Sequence, residues 1–229
     1  MKLDILVLAA HPDDAELSCS GIIAKEIASG KKVGIVDLTK GELGTRGSAD
    51  IRMEETKVSS DILGLSAREN LDLGDCIFEI SKKELIAVVG VIRKYQPEVI
   101  LCNAPEDRHP DHGRGSALVK RANFLAGLKK FGSGKAHRAK DIFCYIQEKH
   151  LNPSVVVDIT PYFDKKIESI NAFKSQFFDE KSSEPATPIS TENYWNTIEA
   201  RAREMGKLIG VKYGEGLILD RPLKVDSLL

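Results

Sequence analysis

Leu6-Val7-Leu8-Ala9-Ala10-His11-Pro12-Asp13-Asp14-Ala15-Glu16 is the stretch from which the rest of the chain can be read. An apolar run from Ile5 to Ala10 stops abruptly at one imidazole and three carboxylates. After Glu16 apolar residues recur at helical spacing (Leu17, Ile22, Ile23, Ile27) until Ser29-Gly30, where glycine supplies a left-handed stop. A continuous apolar strand followed by a helix is how a parallel sheet covered on both faces begins. Such sheets place ligands at the carboxyl ends of their strands, which is where His11, Asp13 and Asp14 fall. Nitrogen and oxygen donors side by side suit Zn²⁺ or another divalent ion. The packet also suits a plain polar loop in which Asp13 or Asp14 caps the next helix, so by itself it does not decide function.

Outward from this stretch the alternation continues. Residues 32–38 read as a second strand, followed by a polar loop over 39–48 with three glycines, a helix over 49–63 and a short strand over 69–73. Ser81-Lys82-Lys83-Glu84 forms a capping box ahead of a helix over 85–95, and Pro97 separates it from a buried strand over 99–102. A helix over 114–130, strands over 142–147 and 154–159, and a helix opened by Thr160-Pro161 and running to Phe177 come next. A polar loop over 179–191, long enough to cover a site or a subunit contact, precedes a helix over 192–208 and the tail Tyr213-Gly214-Glu215-Gly216. The expected fold is a single-domain, Rossmann-like (doubly wound) α/β sheet over residues 1–229, mostly parallel, with helices on both faces.

Composition narrows the function. With 33 Lys and Arg against 34 Asp and Glu, a net charge of -1 leaves no electrostatic footprint for nucleic acid or an anionic membrane. The start, Met1-Lys2-Leu3-Asp4, lacks the apolar region of a signal peptide, and no stretch approaches the length of a membrane span. Cys19, Cys76, Cys102 and Cys144 form no CxxC pair, and three of them sit in or beside apolar runs. The expectation is a cytoplasmic protein with mostly buried free thiols, Cys19 among them as core rather than ligand. His137 and His150 stand apart from the motifs and receive no role.

The strand over 99–102 empties into a second packet, His109-Pro110-Asp111-His112, which mirrors His11-Pro12-Asp13-Asp14. If both strands are parallel members of one sheet, both packets open on the same edge, and His11, Asp14 and His112 can meet. Three protein ligands plus a water is the pattern of a catalytic zinc site, and bound water with a lowered pKa is a nucleophile near neutral pH. Asp13 is placed to act as general base. His109 can stabilise the developing oxyanion or protonate a leaving nitrogen, with Asp111 orienting its ring. Taken alone, the second packet also suits a helix N-terminus capped by Asp111. A non-catalytic dinucleotide- or sugar-binding module would want a GxGxxG turn after the first strand, where this chain has proline and carboxylates. A phosphate-ester hydrolase often uses two metals, and ligands are legible for only one.

At these two packets the sequence resembles the PIG-L/LmbE-like N-deacetylases, and the resemblance covers essentially the whole chain. It implies a metal-dependent hydrolase, usually zinc, removing acetyl groups from N-acetylglucosamine compounds. His11, Asp14 and His112 would be the ligands, Asp13 the base, and His109 with Asp111 the oxyanion stabiliser or acid. The loop from Asp37 to Gly47, Ile51-Arg52-Met53-Glu54-Glu55, Glu106-Asp107-Arg108, Ser175-Gln176-Phe177 and the Tyr213–Gly216 tail look closest to the bacillithiol-pathway branch. That branch deacetylates N-acetyl-D-glucosaminyl-L-malate; another conjugate such as diacetylchitobiose is the alternative. The resemblance places Arg52 against the sugar or acetate. Malate carries two carboxylates, so Arg46 and Arg108 join Arg52 as candidate cations, and Tyr194 as a candidate for the rim. It also implies one Zn²⁺ per chain, with Fe²⁺, Co²⁺ or Mn²⁺ as other fits, and a homo-oligomer, a hexamer or trimer of dimers.

Overall fold

The computed structural model describes residues 1–178, 180 and 182–224. Strand β1 (Ile5–Ala9) pairs in parallel with β2 (Val33–Asp37) on one side and with β4 (Val99–Asn103) on the other. Outside β2 lies β3 (Ala67–Asn70), and outside β4 lies β5 (Asp141–Tyr145), both again parallel. The sheet closes with β7 (Gly214–Leu219), antiparallel between β5 and β6 (Val155–Asp158). Its order is β3-β2-β1-β4-β5-β7-β6, the expected doubly wound sheet with one reversed strand. The order changes direction between β1 and β4, and that switch point opens a crevice at the carboxyl ends of both strands.

Alternation within each strand feeds two cores. Leu6, Leu8, Val36, Ile100 and Cys102 face helices α3 (Lys82–Tyr95) and α4 (Pro110–Ala126). Val7, Ala9, Ile35 and Leu101 face α1 (Asp14–Ala28), α5 (Phe163–Ile170) and α6 (Tyr194–Leu208). Helix α2 (Ala49–Leu63) packs beside α1 and α5. No helix among the described residues is long and apolar enough to cross a membrane. Cys19, Cys102 and Cys144 are buried free thiols as expected, whereas Cys76 is exposed.

Four expectations shift, each for a local reason. Strand β3 starts two residues early, at Ala67, because Arg68 turns inward to the buried Asp37 and Glu16. Helix α4 starts at Pro110 instead of 114, so His112 stands in its first turn, and the N-cap is His109 rather than Asp111. Helix α5 ends at Ile170, not Phe177. The chain must leave helical geometry there so that Ser175 can bring its N–H and hydroxyl to Glu55, at 2.7 and 2.8 Å. The tail is an inner strand, β7. Its two glycines argue against a strand on propensity, but α6 crosses too closely for side chains. A Cβ on Gly214 would lie 2.9 Å from the Gly206 nitrogen, and one on Gly216 2.8 Å from the Met205 sulfur. In the 179–191 loop, Asp179 and Lys181 lie outside the described residues.

Candidate metal centre and catalytic cleft

The two packets meet at the switch point. Asp13 is the N-cap of α1, with φ 102°, a left-handed conformation that costs a non-glycine residue energy and clusters at functional sites. Its turn lets the next residue, Asp14, point back across the strand ends. Asp14 Oδ2 lies 3.3 Å from His11 Nδ1, and Oδ1 lies 3.2 Å from His112 Nε2. The far nitrogens of both rings are anchored on other carboxylates. His11 Nε2 stands 3.1 Å from Asp75 and 3.3 Å from Asp111, and His112 Nδ1 stands 2.7 Å from Asp107. Asp107 is itself fixed by the backbone N–H of Lys149 at 2.8 Å.

This geometry fits a divalent cation. Two imidazole nitrogens and one carboxylate converge, while each ring's other nitrogen donates to a carboxylate, the outer support typical of metal-bound histidine. The three expected ligands, His11, Asp14 and His112, thus lie side by side. The ring nitrogens of His11, His109 and His112 also lie within 4.8 Å of one another, as do donor atoms of His11, Asp75 and Asp111. The second of these sets uses the nitrogen of His11 that faces away from Asp14.

Electrostatics agree. Burial works against charge on His11, but Asp111, Asp14 and Asp75 outweigh it and hold its pKa well above the usual value. Burial likewise opposes charge on His112, and Asp14 and Asp107 raise it to about 9. This is an anionic pocket that attracts cations. Burial, with Asp14 adding repulsion and Arg52 opposing, lifts Asp13 to about 7. Burial, followed by His11 and His112, lowers the pKa of His109.

The cleft above holds about 530 Å³ of space, and its lining includes Asp13, Arg52, Arg108, His109, Gln147 and Glu148. Arg52 is buried, donates to Gln176 Oε1, and has no partner for its Nε among the described residues. Arg108 is exposed at the rim, with Glu148 3.8 Å away. Two expectations need correction. Arg46 is turned away from the cleft, its guanidinium occupied by the backbone oxygens of Ser175 at 3.2 Å and Phe177 at 3.3 Å. Asp111 meets His109 through its backbone N–H, 3.3 Å from Nδ1. Its carboxylate instead takes His11, the Cys76 N–H at 2.9 Å and Arg114 at 2.7 Å. Tyr194 stands behind the cleft wall and donates to Glu148 Oε1 at 2.7 Å. Asp75, Asn103, Gln147 and Glu148 lie at the site outside every motif read from the sequence, and Asp107 falls in the Glu106-Asp107-Arg108 stretch without an assigned role. Their one shared signal is position after a strand, since Asp75 follows β3 and the others close or follow β4 and β5.

The sequence profile described as "PIG-L: GlcNAc-PI de-N-acetylase" matches residues 6–123, which contain both packets. The chain belongs to this family. With the His/Asp cluster, membership makes the protein a metal-dependent N-deacetylase, a hydrolase acting on amide bonds. The conserved protein TT1542 from Thermus thermophilus superposes with a TM-score of 0.89 at 32% identity, covering 99% of each chain. The diacetylchitobiose deacetylase of Thermococcus kodakarensis is 29% identical over 93% of this chain and 81% of its own. The probable N-acetyl-alpha-D-glucosaminyl L-malate deacetylase 2 of Bacillus cereus is 25% identical over 77% of this chain and 84% of its own. The resemblance at the level of the family holds, and its narrowing to the malate branch rests on this weaker similarity. A relative of different printed activity, the 4-oxalmesaconate hydratase of Pseudomonas putida, is 28% identical over 75% of this chain and 73% of its own.

Proposed function

We propose that the protein deacetylates a small N-acetylglucosamine conjugate carrying a carboxylate, with N-acetyl-D-glucosaminyl-L-malate as the substrate. The observation that carries the reading is the convergence of His11 Nδ1 and His112 Nε2 on Asp14, with Asp13 beside it in the cleft. Zn²⁺, or Fe²⁺, Co²⁺ or Mn²⁺ in its place, would be held by His11, Asp14 and His112 and would supply Lewis acidity and a more acidic water. Asp13, with a pKa near neutrality, takes the proton of the attacking water and passes it toward the leaving nitrogen. His109 accepts the Asp111 N–H on Nδ1, which leaves its proton on Nε2, and its lowered pKa keeps the ring neutral. A neutral N–H donor suits stabilisation of the oxyanion. Acetate and the free amine are the products.

Two guanidinium groups at the cleft, Arg52 inside and Arg108 at the rim, support a carboxylate-bearing substrate. A second reading, diacetylchitobiose, is favoured by the Thermococcus relative, whose similarity spans more of the chain. Acetate release from the malate conjugate and from diacetylchitobiose, measured side by side with chelator and with Zn²⁺ restored, separates the two. Preference for the malate conjugate is expected, abolished by the chelator and regained with metal. Preference for the disaccharide sinks the substrate assignment, and hydration of an unsaturated diacid without acetate release would sink the deacetylase reading itself.

A further inference from the structure

The carboxylate of Asp14 is gripped from behind by three N–H donors. Asn103, the last residue of β4, donates through Nδ2 to Oδ2 at 3.1 Å. Gln147, just past β5, donates through Nε2 to Oδ1 at 2.7 Å. The backbone N–H of His11, just past β1, donates to Oδ2 at 2.9 Å. The three donors thus come from three neighbouring strands.

Resting on the metal reading above, we infer that Asn103 and Gln147 are positioning residues for the cation. They lock the plane of the Asp14 carboxylate so that its remaining lone pairs stay aimed between His11 and His112. Neither amide can be reversed. The Ala10 N–H donates to Asn103 Oδ1 at 2.9 Å, so Nδ2 must face Asp14. Reversing Gln147 would set its carbonyl oxygen against a carboxylate oxygen.

The way Gln147 is spent points the same way. It is 5% exposed, Asp14 is the one hydrogen-bond partner of its side chain among the described residues, and its Oε1 is buried without one. An amide that leaves its other end unsatisfied is poorly explained as a fold stabiliser and well explained as a holder of Asp14. Both holders are neutral. Lys or Arg in these places would grip the carboxylate equally well but would cancel the negative charge the cation needs.

The test uses the full chain, stripped and reloaded. Zn²⁺ affinity is measured by competition with a chromophoric chelator, and the visible spectrum of the Co²⁺ form reports ligand geometry. Gln147→Met removes one donor at nearly constant volume, and Asn103→Leu removes the other without adding charge. Each is expected to weaken Zn²⁺ binding about 10–100-fold and to alter the Co²⁺ spectrum. Thermal unfolding of the stripped proteins checks folding, and Asn103→Leu carries the test if Gln147→Met does not fold. Affinities within about threefold of the parent, far below the loss expected of such holders, overturn the positioning role alone. A parent that takes up no metal overturns the metal reading and this role together.

Discussion

Lys166 Nζ and Glu215 Oε1 lie 2.8 Å apart in a buried ion pair that stitches a break in α1. At Cys19 the helix leaves α geometry, with φ −140°. Lys166 donates to the freed carbonyls of Glu16 at 3.2 Å and Leu17 at 2.7 Å. Glu215 accepts the N–H groups of Gly21 at 3.0 Å and Ile22 at 2.7 Å. One residue comes from α5 and the other from β7, so the helix that begins with Asp14 is held by the far end of the chain.

Lys166→Met is therefore expected to destabilise the fold by about 3–5 kcal/mol, the usual loss when one partner of a buried pair is removed. Urea denaturation checks it. A loss below about 1 kcal/mol, the range of a surface pair, would show that the pair contributes no more than an exposed one.

Arg68 pairs with the buried Asp37 at 3.0 Å and also with Glu16. Burial pushes Asp37 up to about 6, and Arg68 is the main opposing influence. A carboxyl whose folded pKa lies above its unfolded value of roughly 3.9 binds its proton better when folded. Its favourable contribution is full below that unfolded value and is lost as pH rises through about 6. Without Arg68 this pH dependence deepens. Arg68→Met should cost about 3–5 kcal/mol near neutral pH and clearly less at mildly acid pH. Equal losses at both would contradict the assignment.

Asp13→Asn should keep the metal and lower turnover roughly a hundredfold or more. In the parent, kcat/KM should fall on the acid side as Asp13, at about 7, becomes protonated and stops accepting a proton. A bound cation favours the carboxylate and moves that limb lower, never higher. Near-normal turnover of the Asn variant at neutral pH would remove Asp13 from the role of base.

Arg46 and Arg52 are six residues apart in the sequence yet do different work. Arg46→Met strands the carbonyls of Ser175 and Phe177 and should cost stability, about 1–3 kcal/mol, with KM unchanged. Arg52→Met should instead raise KM for an anionic conjugate while lowering its advantage over diacetylchitobiose. Reversed phenotypes would exchange the two assignments.

Much of the fold follows from sequence because its signals are local. The apolar run at 5–10, the helical spacing after Glu16 and the strand–helix alternation require no partner to be read, and they suffice for a doubly wound sheet. The two His-Pro-Asp packets place the reactive groups at strand ends for the same reason. What tertiary structure decided is where each side chain turns. Arg46 and Arg52 look alike in the sequence, but the backbone oxygens of Ser175 and Phe177 take the guanidinium of Arg46, whereas Arg52 donates to the Gln176 side chain and still lines the cleft. Asp111 follows His109 closely, yet the start of α4 sends its carboxylate to His11. Strand β7 carries two glycines that weaken any local strand signal, and it forms because α6 leaves room for nothing larger. Asp75, Asn103 and Gln147 belong to no motif, since their part in the site depends on which strands lie side by side. Periodicity is a property of neighbours along the chain, whereas a metal centre is assembled by neighbours across it.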